Sequence, residues 1–151
     1  MSRPADRLSH LHSLDRVFDK PRSEANQGMK SILIVDDQES MRQLIRDILE
    51  PAGYRVDEAS TGRQGVAQYR RAPTDLIRLD IFMPDGDGLE SLVILRQEFP
   101  ACRVVAITGS KGMLGAVNFL HVAKILGAKN ALEKPFAAED LLGVVANELT
   151  P

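Results

Sequence analysis

From Lys30 onward, short apolar runs alternate with longer stretches whose apolar residues recur every three or four positions. The run SILIV predicts a first strand. ESMRQLIRDILE follows, with Met41, Leu44, Ile45, Ile48 and Leu49 on one face, and predicts a helix that Pro51 and Gly53 bring to an end. YRVDEAS alternates and predicts a second strand, GRQGVAQYRR a short helix, and DLIRLD a third strand. DGLESLVILRQEF predicts a helix stopped by Pro100, and CRVVAIT a fourth strand. GAVNFLHVAKILG predicts a helix ending at Gly127, KNALEK a fifth strand, and AEDLLGVVANEL a last helix. Five strands alternating with five helices imply an α/β fold, a doubly wound five-stranded parallel sheet. The strands lack clean polar alternation, which suits a sheet covered on both faces.

Residues 1–28 follow a different pattern. ADRLSHLHSLDRVFDK spaces Leu8, Leu11, Leu14 and Phe18 as one weak amphipathic helix would, and KPRSEANQG reads as a polar linker. The expected organisation is an N-terminal arm over 1–28, flexible or partly helical, and one compact domain over 29–151. His10 and His12 on that arm are too few for a metal site and read as solvated side chains. No second domain has room after the last helix, so any output is expected to pass through another protein.

Composition narrows the function classes. A net charge of -2 with 26% charged residues gives no general affinity for nucleic acid or membrane. No apolar run approaches the roughly 18 residues of a membrane helix, and no secretory core opens the chain. A cytoplasmic protein is expected. Cys102 is the only cysteine and precedes the apolar Val104–Ile107, so a buried structural thiol is expected.

The chemistry gathers where strands end. In an open α/β sheet, ligands bind beyond the carboxyl ends of the strands. The first strand leads into Asp36 and Asp37, the third ends at Asp80, the fourth at Thr108 and the fifth at Lys134. Taken singly, such residues cap helices or face solvent: Asp37 and Asp87 could start helices, and Lys134 could be a solvated end. Five of them at four strand ends of one sheet point instead to a shared site. Three clustered carboxylates repel and call for a cation. Mg2+ takes hard oxygen ligands and keeps room for waters and phosphate oxygens. Asp80 is then a candidate nucleophile toward phosphorus, forming an acyl phosphate. Lys134 would supply a point charge and Thr108 a hydroxyl to the phosphoryl oxygens.

The motifs ILIVDD, DLIRLDIFMPDGDGLE, VVAITGS and LEKPF, in this order over about Lys30 to Leu149, resemble the receiver domain of bacterial two-component response regulators. The resemblance implies a flavodoxin-like fold with Asp80 as the phosphorylated aspartate. It implies Mg2+ held by Asp80, by Asp37 directly, by Asp36 mostly through water, and by the backbone carbonyl of Phe82. Thr108 and Lys134 would contact the phosphoryl group, and the peptide before Pro135 would be cis. The phosphoryl donor would be a histidine kinase or a phosphotransfer protein, and the acceptor of the signal a downstream protein of unknown identity.

Several positions depart from the family pattern. Ala131 stands where receivers often carry a Tyr or Phe that switches rotamer, so aromatic switching is not expected, and Phe136 or a backbone change would have to serve. TGSKGMLGAVNF is a few residues longer than usual, and its Gly109, Gly112 and Gly115 make residues 109–118 the expected mobile element. Arg78 occupies a strand position where an apolar residue is expected. It is read as lying on an exposed rim or as pairing with an acid such as Glu58 or Asp57. Phe82, apolar and bulky, suggests slow self-hydrolysis of the acyl phosphate.

Rival classes fare worse. A haloacid-dehalogenase-type phosphatase needs an acid two residues after its nucleophile, where this chain has Phe82. A flavodoxin-like cofactor site needs Ser, Thr and Gly after the first strand, where this chain has the acidic DDQES. The remaining alternative is a receiver-fold interaction module that is not phosphorylated.

Overall fold

The computed structural model describes residues 28–83, 87–108, 121, 124–125, 127–128 and 130–150. Within them run β1 (Ser31–Val35), α1 (Glu39–Leu49), β2 (Arg55–Ala59), α2 (Gly62–Arg71), β3 (Leu76–Asp80), α3 (Asp87–Glu98), β4 (Val104–Thr108), β5 (Asn130–Glu133) and α4 (Ala138–Leu149). The five strands form one parallel sheet in the order β2-β1-β3-β4-β5. The loop expected over 109–118 falls outside the described residues, as do most of the helix expected over 115–127 and all but the last residue of the arm over 1–28. Helical backbone at His121, Lys124 and Ile125 falls inside that expected helix.

The central strands β1, β3 and β4 bury both faces, their side chains alternating between two cores, while the edge strands β2 and β5 are only partly buried. Leu33, Val35, Ile77, Leu79 and Ala106 point to the layer of α2 and α3. Ile32, Ile34, Leu76, Val105 and Ile107 point to the layer of α1 and α4, where Ile45, Leu49, Leu141 and Val145 meet them. This double covering is why the strands read as unbroken apolar runs. Cys102 is buried at the rim of the first core, and burial pushes its thiol above the ordinary range. Tyr69 of α2 meets Phe99, just beyond α3, edge to face at 4.9 Å. No helix among the described residues is long and apolar enough to cross a membrane.

Local chemistry sets the joints. Gly53 turns the chain out of α1 at φ 99°, a conformation that favours glycine, and its amide donates to the Glu50 carbonyl. The Asp75 carboxylate accepts from both the amide and the hydroxyl of Ser31, at 2.8 and 3.1 Å, and so fixes the entry of β1 beside β3. At the start of α2, Thr61 accepts from the Gln64 amide at 3.0 Å, while the Gly62 amide donates to Asp87 of α3. Asp87 therefore serves the neighbouring helix rather than only its own.

Gly88, in the first turn of α3, packs onto the backbone that leaves β3. A Cβ there would fall on the carbonyl oxygens of Asp80 and Ile81. Gly88→Ala should therefore destabilise the fold by about 2 kcal/mol, the scale of overpacking against an unyielding neighbour. Urea denaturation followed by circular dichroism checks this, with an unchanged midpoint counting against it.

Candidate functional site

The strand order places β1 and β3 side by side, with the next strands going opposite ways, which is the switch point where such sheets open a crevice. Asp36 immediately follows β1 and continues the Ile32–Ile34 face. Asp80 ends β3 and continues the Leu76–Arg78 face. One carboxylate oxygen each from Asp36, Asp37 and Asp80 lie within 4.8 Å of one another. Asp36 and Asp80 are buried and Asp37 is exposed. Asp37 also borders a cleft of about 510 Å³ whose walls include Thr61, Arg63 and Glu90.

Lys134, the first residue after β5, reaches this cluster. Its Nζ lies 3.0 Å from Asp80 Oδ2 and 3.4 Å from Asp36 Oδ2. The Lys134–Pro135 peptide that follows is cis. The Phe82 amide donates to Asp80 Oδ1 at 3.1 Å, while the Phe82 ring is half exposed. Thr108 ends β4 in register with Glu133, and its side chain lies outside the described atoms. Ala131 lies in β5 beside Ala106 and packs against the first core.

Arg78 follows the second of its two sequence readings, pairing with an acid, but the acid is Asp36. Arg78 is neither on an exposed rim nor paired with Glu58 or Asp57: it is fully buried, and its Nη1 lies 2.8 Å from Asp36 Oδ2. Glu58 pairs instead with Arg42 and Arg46 of α1, and Asp57 with Arg55. Strand parity carried the missing signal. Arg78 lies two residues before Asp80, and in register with Ile34, which lies two residues before Asp36. Period two therefore puts the guanidinium beneath both acids. Arg42 was a second omission: its Nη1 donates to the Asp36 carbonyl at 2.9 Å and ties α1 to the β1 exit.

The two buried acids respond differently. For Asp36, burial pushes the carboxyl up, but the Arg78 guanidinium, the Gln38 amide and Lys134 together hold it below the ordinary carboxylate range. For Asp80, burial dominates and the Asp36 charge adds to it, so the carboxyl is pushed up despite Lys134. Asp80 is thus the more basic of the two. Every donor in the cluster is a hard oxygen, and the crowding of three acids fits a divalent cation such as Mg2+.

Comparison with known proteins agrees with this architecture. The family model for the response regulator receiver domain matches residues 32–146. The chain belongs to the response regulator receiver family. It is 35% identical over 119 residues to the chemotaxis protein CheY of Bacillus subtilis, covering 78% of this chain and 96% of that one. It is 31% identical over 121 residues to CheY of Halobacterium salinarum, covering 80% and 98%. Among solved structures, a CheY-like receiver domain from Methanospirillum hungatei superposes with TM-score 0.73 at 30% identity, covering 81% of this chain and 94% of that one. Receivers are components of two-component signalling, phosphoacceptors rather than enzymes in the usual sense, and bind Mg2+ in an acidic pocket.

The raised carboxyl of Asp80 has a consequence for stability. The folded state holds that proton to higher pH than the unfolded chain does, so ionising Asp80 lowers stability as pH rises through this window. In EDTA at neutral pH, Asp80→Asn should melt a few degrees above wild type. The gap should close as pH falls below the carboxylate range, where Asp80 is uncharged anyway. Thermal melts across that range test it, and equal melting at neutral pH would contradict it.

Proposed function

We propose that Asp80 is the phosphoacceptor of a receiver that takes its phosphoryl group from a phosphohistidine of a histidine kinase or phosphotransfer protein. The observation that carries this reading is the Asp80 carboxylate itself, buried, pushed toward higher basicity, and 3.0 Å from the Lys134 ammonium. An Asp80 oxygen attacks phosphorus, a P–O bond forms, and the P–N bond to the histidine breaks. The imidazole leaves with the electron pair, and Asp80 becomes an acyl phosphate. Lys134 meets the charge on the transferred oxygens, and Thr108, at the end of β4, supplies a hydroxyl to them. Asp36, Asp37, Asp80 and the Phe82 carbonyl would hold Mg2+, which when bound offsets the charge accumulating on the phosphoryl group.

Residues 29–151 are read as the receiver unit and 1–28 as an arm attached to it, in a cytoplasmic protein. Phosphorylation would alter a surface that binds a downstream protein or hands the phosphoryl group on. With a methyl group at Ala131, no ring is available there to turn, so the change would run through the backbone after Thr108 or through Phe136, which packs on the α1–α4 core. The apolar, half-exposed Phe82 beside Asp80 would screen the acyl phosphate from water.

Incubation with acetyl phosphate and Mg2+ should add one phosphoryl group, read by intact mass, and both Asp80→Ala and EDTA should abolish it. No gain from folded protein, with acetyl phosphate or with a phosphorylated histidine donor, would favour an unphosphorylated interaction module. The modified protein should also keep its label well beyond seconds after donor removal; loss within seconds would overturn the role given to Phe82.

A further inference from the structure

Arg78 is the one fully buried cation in the described part of the sheet, and its packing does not account for it. Its register neighbours, Ile34 and Val105, are both apolar. An isoleucine or leucine would fill the same space without desolvating a charge. Of its five N–H donors, those on Nε and Nη2 find no hydrogen-bond partner among the described residues. A buried guanidinium with three donors unpaired is costly. Its one strong contact is Asp36 Oδ2 at 2.8 Å. That oxygen also faces Lys134, and the other oxygen accepts from the Gln38 amide at 2.9 Å. Both oxygens of Asp36 are therefore engaged by groups of the protein.

We propose that Arg78 is a built-in counter-ion of the acidic pocket, neutralising Asp36 from below and thereby setting how tightly the pocket binds a divalent cation. The inference rests on the reading of this pocket as a Mg2+ site. Three carboxylates against Lys134 alone leave two net negative charges; with Arg78 they leave one. An arginine does not deprotonate, so this charge is permanent. It holds Asp36 in place when no metal is bound, and it opposes a metal when one arrives. The site would then load only at higher Mg2+ concentration than its three acids alone dictate. Arg78 acts here by its charge, on Asp36 and on any cation in the pocket, and touches no reacting atom.

The test is calorimetric titration of the full chain with MgCl2 at fixed ionic strength, together with thermal melts in EDTA and in Mg2+. Arg78→Met keeps the volume and removes the charge. It should tighten Mg2+ binding by about tenfold or more, the scale of one charge a few ångströms from a divalent ion. It should also melt lower than wild type in EDTA and recover more on adding Mg2+, because Asp36 is then buried without its partner. Arg78→Lys, which restores a cation, should return the Kd toward wild type. If Arg78→Met fails to fold, the comparison moves to the Asp36→Asn background, which has no buried acid to orphan. There too, adding Arg78→Met should tighten binding. Equal or weaker affinity on removing Arg78 overturns the inference. Absence of Mg2+ binding in every protein overturns the metal reading along with it. A Kd that shifts as expected in a protein that neither acetyl phosphate nor a phosphohistidine donor labels overturns the phosphoacceptor role and leaves the role of Arg78 standing.

Discussion

Three carboxylates brought within a few ångströms repel one another, and the organisation of this molecule around its crevice follows from how that repulsion is managed. Two of the acids, Asp36 and Asp80, are also buried, so water does little to relieve them. Lys134 reaches both from β5, and Arg78 holds Asp36 from within β3. The two cations do not share the load evenly. Asp36 is stabilised as an anion, while Asp80 is left strained and basic. Two acids of one type, set apart by their surroundings, can thus take different roles: one fixed in charge, the other disposed to react.

The sheet makes this arrangement possible because parallel strands end on the same edge. Residues after β1, at the end of β3 and after β5 come together without any one of them being near another in the chain. The apolar layers on either side keep the strands in register, so the acids are held by the same packing that holds the core. Gly88 sits where α3 must approach the carbonyls leaving β3, and Asp75 anchors Ser31 at the opposite end of β1.

Much of this was legible from hydrophobic periodicity. SILIV, DLIRLD and CRVVAIT read as buried strands because the sheet is covered on both faces, and the expected helix face meets its core through Met41, Ile45, Ile48 and Leu49, while Leu44 stays half exposed. The candidate acids were legible because a charged residue after an apolar run is conspicuous. Arg78 was not, because an Arg inside a strand pattern invites the assumption of an exposed edge. Its partner lies 42 residues away on a neighbouring strand, and only the register of β1 against β3 brings them together. Arg42 was hidden for a related reason. Its contact at the site is with a backbone carbonyl, which carries no sequence signal. The boundary of β5 shifted slightly: Lys134 lies just past the strand rather than within it.

The hydrogen bond from the Gly62 amide to Asp87 has a dynamic consequence. The first turn of α2 depends for one of its unsatisfied amides on a side chain borrowed from the first turn of α3. A fluctuation that lifts the start of α3 away from the sheet takes the Gly62 partner with it, leaving α2 with its Thr61 cap alone. Protection of the Gly62 amide against exchange therefore depends on the opening turn of α3 as well as on α2 itself.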